Sequence, residues 1–335
     1  MEENLEDHSK QRTELDRGDR ISTALRARSL RNDNWAVILA GGDGTRLRSL
    51  TRAIAGDDRP KQFCPIVGGR TLLEQTRQRV ALSIDSNRTF IVVTKKHECF
   101  YEPLVDTHPG ELLLEQPENR GTATAILYSL FRIAARSPHA TVAFFPSDHY
   151  FSDDEAFMSH VDSAFETART MPEKVVLLGV TPSSPEGEYG WIEPHPSIFS
   201  SMPRSITRVR HFWEKPTAAL ARNLMKRDCL WNSFVMVGRV DALLKMTQQA
   251  TPITYELFAA IRPSLGTTIE PIVLQKVYGE IPEVNFSHEV LAERPDDLLV
   301  MRVGGVEWCD LGDPTRVLAI LARAGMQTEL TLSAS

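Results

Sequence analysis

Two clusters in this 335-residue chain combine residue types and spacing that can hold phosphate. In Leu39-Ala40-Gly41-Gly42-Asp43-Gly44-Thr45-Arg46-Leu47, three glycines let the backbone turn sharply and bring its N–H groups close to an anion. Arg46 then offers a fork of donors for outer phosphate oxygens. A plain tight turn would use the same glycines. The second cluster, Arg59-Pro60-Lys61-Gln62-Phe63, follows closely, and from Arg46 to Lys61 the cations Arg46, Arg48, Arg52, Arg59 and Lys61 outnumber Asp57 and Asp58. Beside a glycine nest such a run suits a polyphosphate, and it also suits a solvated loop. The loop matches neither the Walker A sequence nor the dinucleotide G-x-G-x-x-G pattern.

Further chemistry is spread along the chain. Asp148 follows the apolar run Val142-Ala143-Phe144-Phe145, so it falls at a strand's carboxyl end, as a metal ligand or as a cap. Lys215, in Glu214-Lys215-Pro216, is a point cation suited to a phosphate monoester or to a surface ion pair. Glu214 and Asn232 offer acceptor and donor groups for sugar hydroxyls. Tyr189-Gly190, in a proline-rich stretch, would let backbone approach a sugar ring or simply turn.

Elements able to position these residues begin at Trp35. Residues 35–40, 90–94, 112–115, 141–145 and 175–180 are short apolar runs typical of strands buried on both faces, and helical patterns at 71–82, 122–135 and 154–170 lie between them. This alternation predicts an α/β fold with a doubly wound, mostly parallel sheet, which binds ligands beyond the carboxyl ends of its strands. After residue 180 prolines become frequent. Short strands near 206–213, 234–237 and 298–303 and helices near 217–226, 240–248 and 255–261 predict a smaller C-terminal α+β subdomain. The expected division is an N-terminal extension at 1–34, flexible or helical, a core at 35–240, and a part at 241–335 that completes the site and packs on the core. The weak helical rhythm near 21–30 could also serve oligomerisation, giving a homo-oligomer.

Composition narrows the function classes. At 42% hydrophobic and 24% charged the chain reads as soluble and globular, and a net charge of -6 argues against a nucleic-acid binder. No apolar run is long enough for a membrane span, and the acidic start with Glu2, Glu3, Glu6 and Asp7 is unlike a signal peptide, so a cytoplasmic location is expected. Cys64, Cys99, Cys229 and Cys309 are too scattered for a local zinc clip or redox pair.

G-G-x-G-T-R-L followed by R-P-K-Q-F resembles the sugar-1-phosphate nucleotidyltransferases, and the K-Q-F form is similar to the mannose-1-phosphate guanylyltransferase family in particular. Further similar segments follow in the family's order: Glu118-Asn119-Arg120-Gly121-Thr122-Ala123, Pro146-Ser147-Asp148-His149, Tyr189-Gly190-Trp191-Ile192-Glu193, Glu214-Lys215-Pro216, Leu230-Trp231-Asn232-Ser233 and Trp308-Cys309-Asp310-Leu311-Gly312. The resemblance covers roughly residues 35–321. It departs where Arg48-Ser49-Leu50 replaces W-P-L, where Phe234 replaces a glycine, and where Asn285-Phe286-Ser287-His288 replaces S-x-D-Y.

The resemblance implies a Rossmann-like nucleotidyltransferase fold and transfer of GMP from GTP to mannose 1-phosphate, giving GDP-mannose and pyrophosphate. Leu39, Ala40, Gly41, Gly42, Gly44 and Thr45 would hold the nucleotide with Arg46 and Lys61, and Gly121-Thr122 would meet the base. Asp148 and Asp310 would carry Mg²⁺, and Tyr189, Gly190, Glu193, Glu214, Lys215 and Asn232 would surround the sugar phosphate. Arg46, Lys61, Asp148 and Asp310 would carry catalysis, with His149 in support, because an anionic phosphate nucleophile needs no base. With 335 residues, the chain is expected to lack an appended isomerase domain. A different sugar or base, or a regulatory protein that binds nucleotide sugars without turnover, are the alternatives. Joint presence of Arg46, Lys61, Asp148, Lys215 and Asp310 speaks against the regulator.

Overall fold

Strand and helix alternate along the first half of the chain, and the computed structural model describes residues 33–106, 112–196 and 206–323. The extension expected at 1–34 lies outside them except for its last two residues. β1 (Asn34–Leu39) leads through the glycine loop into α1 (Arg48–Ala55) and α2 (Leu72–Ala81). Then come β2 (Thr89–Thr94), α3 (Glu98–Asp106), β3 (Leu112–Gln116), α4 (Thr122–Arg136), β4 (Thr141–Pro146), β5 (Tyr150–Phe151), α5 (Asp154–Thr170) and β6 (Val175–Val180). The second half contains β7 (Trp191–Pro194), β8 (Ile206–Trp213), α6 (Ala218–Lys226) and β9 (Leu230–Arg239). It ends with α7 (Val240–Ala250), α8 (Pro252–Ala259), α9 (Glu270–Glu280), β10 (Leu298–Val303), β11 (Trp308–Cys309) and α10 (Pro314–Arg323).

Local sequence fixes several boundaries. Thr71 caps α2 reciprocally with Glu74, the Asp153 carboxylate caps α5 through the Ala156 N–H, and the Thr217 hydroxyl caps α6 through the Leu220 N–H.

One nine-stranded sheet runs in the order β3-β2-β1-β4-β9-β6-β10-β8-β7, and β11 pairs with β5 in a separate ribbon. Pairing is parallel at β1–β2, β2–β3 and β6–β10, whereas β9 is antiparallel to β4, β6 and β7, and β8 is antiparallel to β7 and β10. The sheet is therefore mixed rather than mostly parallel. For β7 and β8 the reason is the connection: residues 195–205 are too few for a parallel crossover.

Side chains alternate along the strands into two cores. Trp35, Val37 and Phe144 point toward α4, α7, α8 and α9, among Ile126, Phe131, Leu243, Phe258 and Tyr278. Ala36, Ile38, Ala143 and Phe145 point to the opposite face, among Leu73, Val80, Phe157 and Phe165. The C-terminal stretch does not form a subdomain of its own, because β10 lies between β6 and β8 inside the sheet while α7, α8 and α9 cover one face of it. Chain order reverses where β1 lies between β2 and β4, and that switch opens a crevice at the strands' carboxyl ends.

Candidate active site

The crevice holds a cavity of about 440 Å³ lined from the glycine loop, β4, β9 and the turn after β11. Gln62, buried beneath the glycine loop, donates to the carbonyls of Ala40 at 2.9 Å and Gly42 at 2.7 Å, and the Thr94 hydroxyl donates to the Gly41 carbonyl at 2.9 Å. A trans peptide points its C=O and the following N–H in opposite directions. With these three carbonyls bound by Gln62 and Thr94, the N–H groups of Gly41, Gly42 and Asp43 point away from those partners, and Gly41 and Gly42 form part of the cavity wall. Gly44, at φ 58, packs so closely that a Cβ there would lie 2.9 Å from the Lys61 nitrogen. The two phosphate-binding clusters read from the sequence are thus one packed unit.

Lys61 joins two distant carboxylate segments. Its Nζ donates to the main-chain oxygens of Asp310 at 2.6 Å and Leu311 at 3.2 Å, and lies 3.3 Å from the Asp148 carboxylate. Asp148 sits two residues beyond β4, and Asp310 directly follows β11. The ribbon pairs Cys309 with Tyr150, which brings the two segments side by side. Arg79 of α2 secures that ribbon, stacking 4.6 Å over the Phe151 ring and bonding to Asp154.

The Asp310 carboxylate accepts from the Tyr189 hydroxyl at 3.1 Å and the Gly312 N–H at 2.8 Å, with the Arg316 guanidinium 3.2 Å away. Burial raises its pKa, but His149, Lys61, Arg316 and the Gly312 N–H outweigh burial and set it below the ordinary carboxylate value. Asp148 and Asp310 offer the hard oxygen donors that suit Mg²⁺ when phosphates complete its shell. Among the described residues no three His, Cys, Asp or Glu side chains gather into a metal cage, so a divalent ion here would need substrate or water oxygens beside the two carboxylates.

His149 fits a supporting role. Its Nδ1 accepts from the Trp308 indole at 3.2 Å, which leaves the proton on Nε2, 3.7 Å from Asp148. Burial pushes the imidazole down to about 4, so the ring is neutral near pH 7.

At one end of the cavity Gly190, Glu214 and Asn232 converge: a Cβ on Gly190 would lie 3.1 Å from a Glu214 carboxylate oxygen and 3.3 Å from the Asn232 Cβ. Burial raises the Glu214 carboxyl above its ordinary value, against the opposing pull of Lys215 and His288. At the other end Gly121, at φ 82, touches the chain after α9, where the Phe286 N–H donates to the Thr122 hydroxyl at 2.9 Å. A Cβ on Gly121 would collide with the Val284 carbonyl. Gly121→Ala is therefore expected to destabilise the fold by about 3 kcal/mol through overpacking and a left-handed backbone. Denaturant titration checks this, and an unchanged midpoint would contradict the packing described.

Most residues expected at the site line this cavity: Leu39, Gly41, Gly42, Arg46, Gly121, Thr122, Asp148, Tyr189, Gly190, Glu214, Lys215, Asn232 and Asp310. Ala40, Gly44, Thr45 and Lys61 stand next to the wall and not on it: Gln62 holds Ala40 through its carbonyl, Gly44 packs on the Lys61 backbone, Thr45 starts the exposed turn beyond it, and the Lys61 ammonium is bound at Asp148 and the Asp310 and Leu311 carbonyls. Glu193 is turned elsewhere. It is 4% exposed and bound by Arg210 at 3.3 Å and by Arg227, so its charge is neutralised within β7, β8 and the end of α6, away from the cavity wall.

The structure adds Val92, Gln116, Glu188 and Glu283 to the wall, and it also places there Phe234, Asn285 and Ser287, which lie at two of the departures from the resembled family's pattern. Gln116 ends β3, so the strand-end rule could have found it. Glu188 pairs with Arg46 at 3.2 Å across the cavity, a contact between residues 142 apart that no local pattern announces. Lys215, Asp228, Phe234 and Leu311 are the non-glycine residues with positive φ among those described, and three of them lie at this site: Lys215 and Phe234 on the wall, Leu311 beside Asp310. Strain of this kind concentrates where function fixes geometry.

A family model described as nucleotidyl transferase matches residues 35–324. The chain is 27% identical over 299 residues to the xanthan biosynthesis protein XanB of Xanthomonas campestris pv. campestris, covering 88% of this chain and 61% of that protein. It is 26% identical over 283 residues to a mannose-1-phosphate guanylyltransferase of Salmonella montevideo, covering 82% of this chain and 57% of that protein. It thus spans about three-fifths of the length of these two relatives. A solved structure described as mannose-1-phosphate geranyltransferase from Thermus thermophilus superposes with a TM-score of 0.74 at 30% identity, over 86% of this chain and 79% of that one. Together with the glycine loop packed on Lys61 at the switch point of a Rossmann-like sheet, the match across residues 35–324 means that this chain belongs to the nucleotidyl transferase family.

Proposed function

We propose that the chain transfers GMP from GTP to mannose 1-phosphate, producing GDP-mannose and pyrophosphate. The observation that carries this reading is the Lys61 bridge, which holds the Asp148 and Asp310 segments together in the cavity that also contains the glycine loop and Lys215. The names of the relatives in xanthan biosynthesis and mannose-1-phosphate guanylyl transfer favour this sugar and this base.

The N–H groups of the glycine loop cradle the triphosphate, and Arg46 leaves Glu188 to hold its outer phosphates. Mg²⁺ held by Asp148 and Asp310 would neutralise charge on the reacting phosphates. Lys61, held at Asp148 and the Asp310 and Leu311 carbonyls, supplies the positive charge that offsets negative charge shifting at the α-phosphate during transfer. Lys215 positions the incoming phosphate monoester, while Glu214, Asn232 and the Gly190 backbone surround the sugar hydroxyls. Gly121 and Thr122 border the base. Neutral His149 holds Trp308 and abstracts no proton, since the attacking phosphate oxygen is already anionic.

Two measurements test this reading. In a thermal-shift panel GTP is expected to stabilise the protein more than ATP, CTP or UTP, and pyrophosphate is expected to appear only when GTP and mannose 1-phosphate are both present. Equal stabilisation by all nucleotides, or no pyrophosphate with any sugar 1-phosphate, would contradict it.

A further inference from the structure

Phe234 is an aromatic residue in the left-handed region, at φ 60, inside strand β9. That backbone is unfavourable for a residue with a Cβ and free of penalty for glycine. Its cause is a bulge. β6 and β9 pair Leu177 with Met236 and then Gly179 with Asn232, two steps on one strand against four on the other. The extra residues are pinned in place: the Ser233 hydroxyl donates to the Leu178 carbonyl at 2.7 Å and accepts from the Val235 N–H at 3.2 Å.

Such a bulge redirects side chains beside a site. The half-buried Phe234 ring packs against the core beneath α4 and also forms part of the cavity wall. The same turn fixes Asn232, because the Phe234 N–H donates to Asn232 Oδ1 at 3.1 Å. That bond holds the Asn232 amide by its oxygen and leaves its NH₂ group as a donor, at the end of the cavity where Gly190 and Glu214 meet. The other groups named at that end, Glu214, Lys215 and the Gly190 backbone, are polar. A pyranose has polar edges and apolar C–H faces, and an aromatic ring complements the latter.

We propose that Phe234 determines which sugar 1-phosphate this site accepts, its ring covering a C–H face of the sugar while the bulge that strains it aims the Asn232 amide at a hydroxyl. This rests on the sugar-phosphate reading given above. Phe234→Ala and Phe234→Gly both remove the ring, and only the second relieves the backbone.

Across a panel of hexose 1-phosphates assayed with GTP, the ratio of best to worst kcat/KM is expected to narrow about tenfold or more in both variants. The change should fall on the sugar KM, with the GTP KM unaltered, an outcome that loosened packing alone would not produce. Phe234→Gly is expected to melt higher than Phe234→Ala. An unchanged selectivity ratio in both variants, with the wild-type protein active, would overturn the assignment of Phe234 alone. The reverse order of melting temperatures would remove the strained bulge on which it is built. A wild-type protein inactive with every sugar 1-phosphate would instead overturn the transfer reaction, and the Phe234 assignment with it.

Discussion

Asp148→Asn is expected to lower turnover about a thousandfold, equivalent to about 4 kcal/mol of lost transition-state stabilisation, while the protein stays folded. Asparagine keeps the shape of the side chain and removes its charge. The fold should tolerate this because Asp148 lies beyond the end of β4, partly exposed to the cavity, and supports no core packing. Catalysis should not, because Asp148 and Asp310 are the two carboxylates proposed to hold the divalent ion, and that ion would lose half of its protein charge partners. Asp310→Asn is expected to act in the same direction. Circular dichroism and single-turnover rates on both variants check the pair. Folded variants with near-wild-type turnover would remove the metal assignment.

Lys61→Met is expected to reduce kcat by about a hundredfold, with the sugar KM nearly unchanged, since a preorganised donor to developing charge acts mainly in the transition state. Methionine preserves the length of the stem but leaves the Asp148 carboxylate and the carbonyls of Asp310 and Leu311 without their common donor. Lys61→Arg should not restore activity. The side chain is only 12% exposed in a slot shaped around a single ammonium, and a planar guanidinium fork does not fit that geometry. If the sugar KM rose while kcat held, Lys61 would belong to sugar-phosphate binding and not to the transfer step.

Much of the fold was legible because local chemistry dictates it. The apolar run from Trp35 to Ala40 can be satisfied only inside a sheet covered on both faces, and the structure gives β1 both of its cores. Capping residues at Thr71, Asp153 and Thr217 set helix starts within a residue or so of where periodicity puts them. The glycine loop and Asp148 follow from the rule that sites lie beyond strand ends at a switch point.

What was not legible depends on long-range order. The ribbon that brings Asp310 to Asp148 is two residues long on each strand, far too short to carry a periodic pattern, so sequence similarity alone had placed that pair. Insertion of β10 between β6 and β8 is a choice of topology that β10's own residues do not encode. Pro103 inside α3 obscured a helix, because proline normally signals an end. Glu193 was misplaced because its motif neighbours Tyr189 and Gly190 do reach the cavity, while its own carboxylate is drawn to Arg210 and Arg227. The left-handed Phe234 has its cause in the pairing of β9 with β6, and its one sequence trace is the glycine that the resembled family carries at this position.

Following each phosphate of GTP tests GMP transfer most directly. With mannose 1-phosphate and Mg²⁺, label on the α-phosphate is expected in GDP-mannose and label on the γ-phosphate in pyrophosphate, both in equal amounts and both sharply slowed in Lys61→Met. Release of the γ label as inorganic phosphate, or an α label that never joins a sugar, would contradict it.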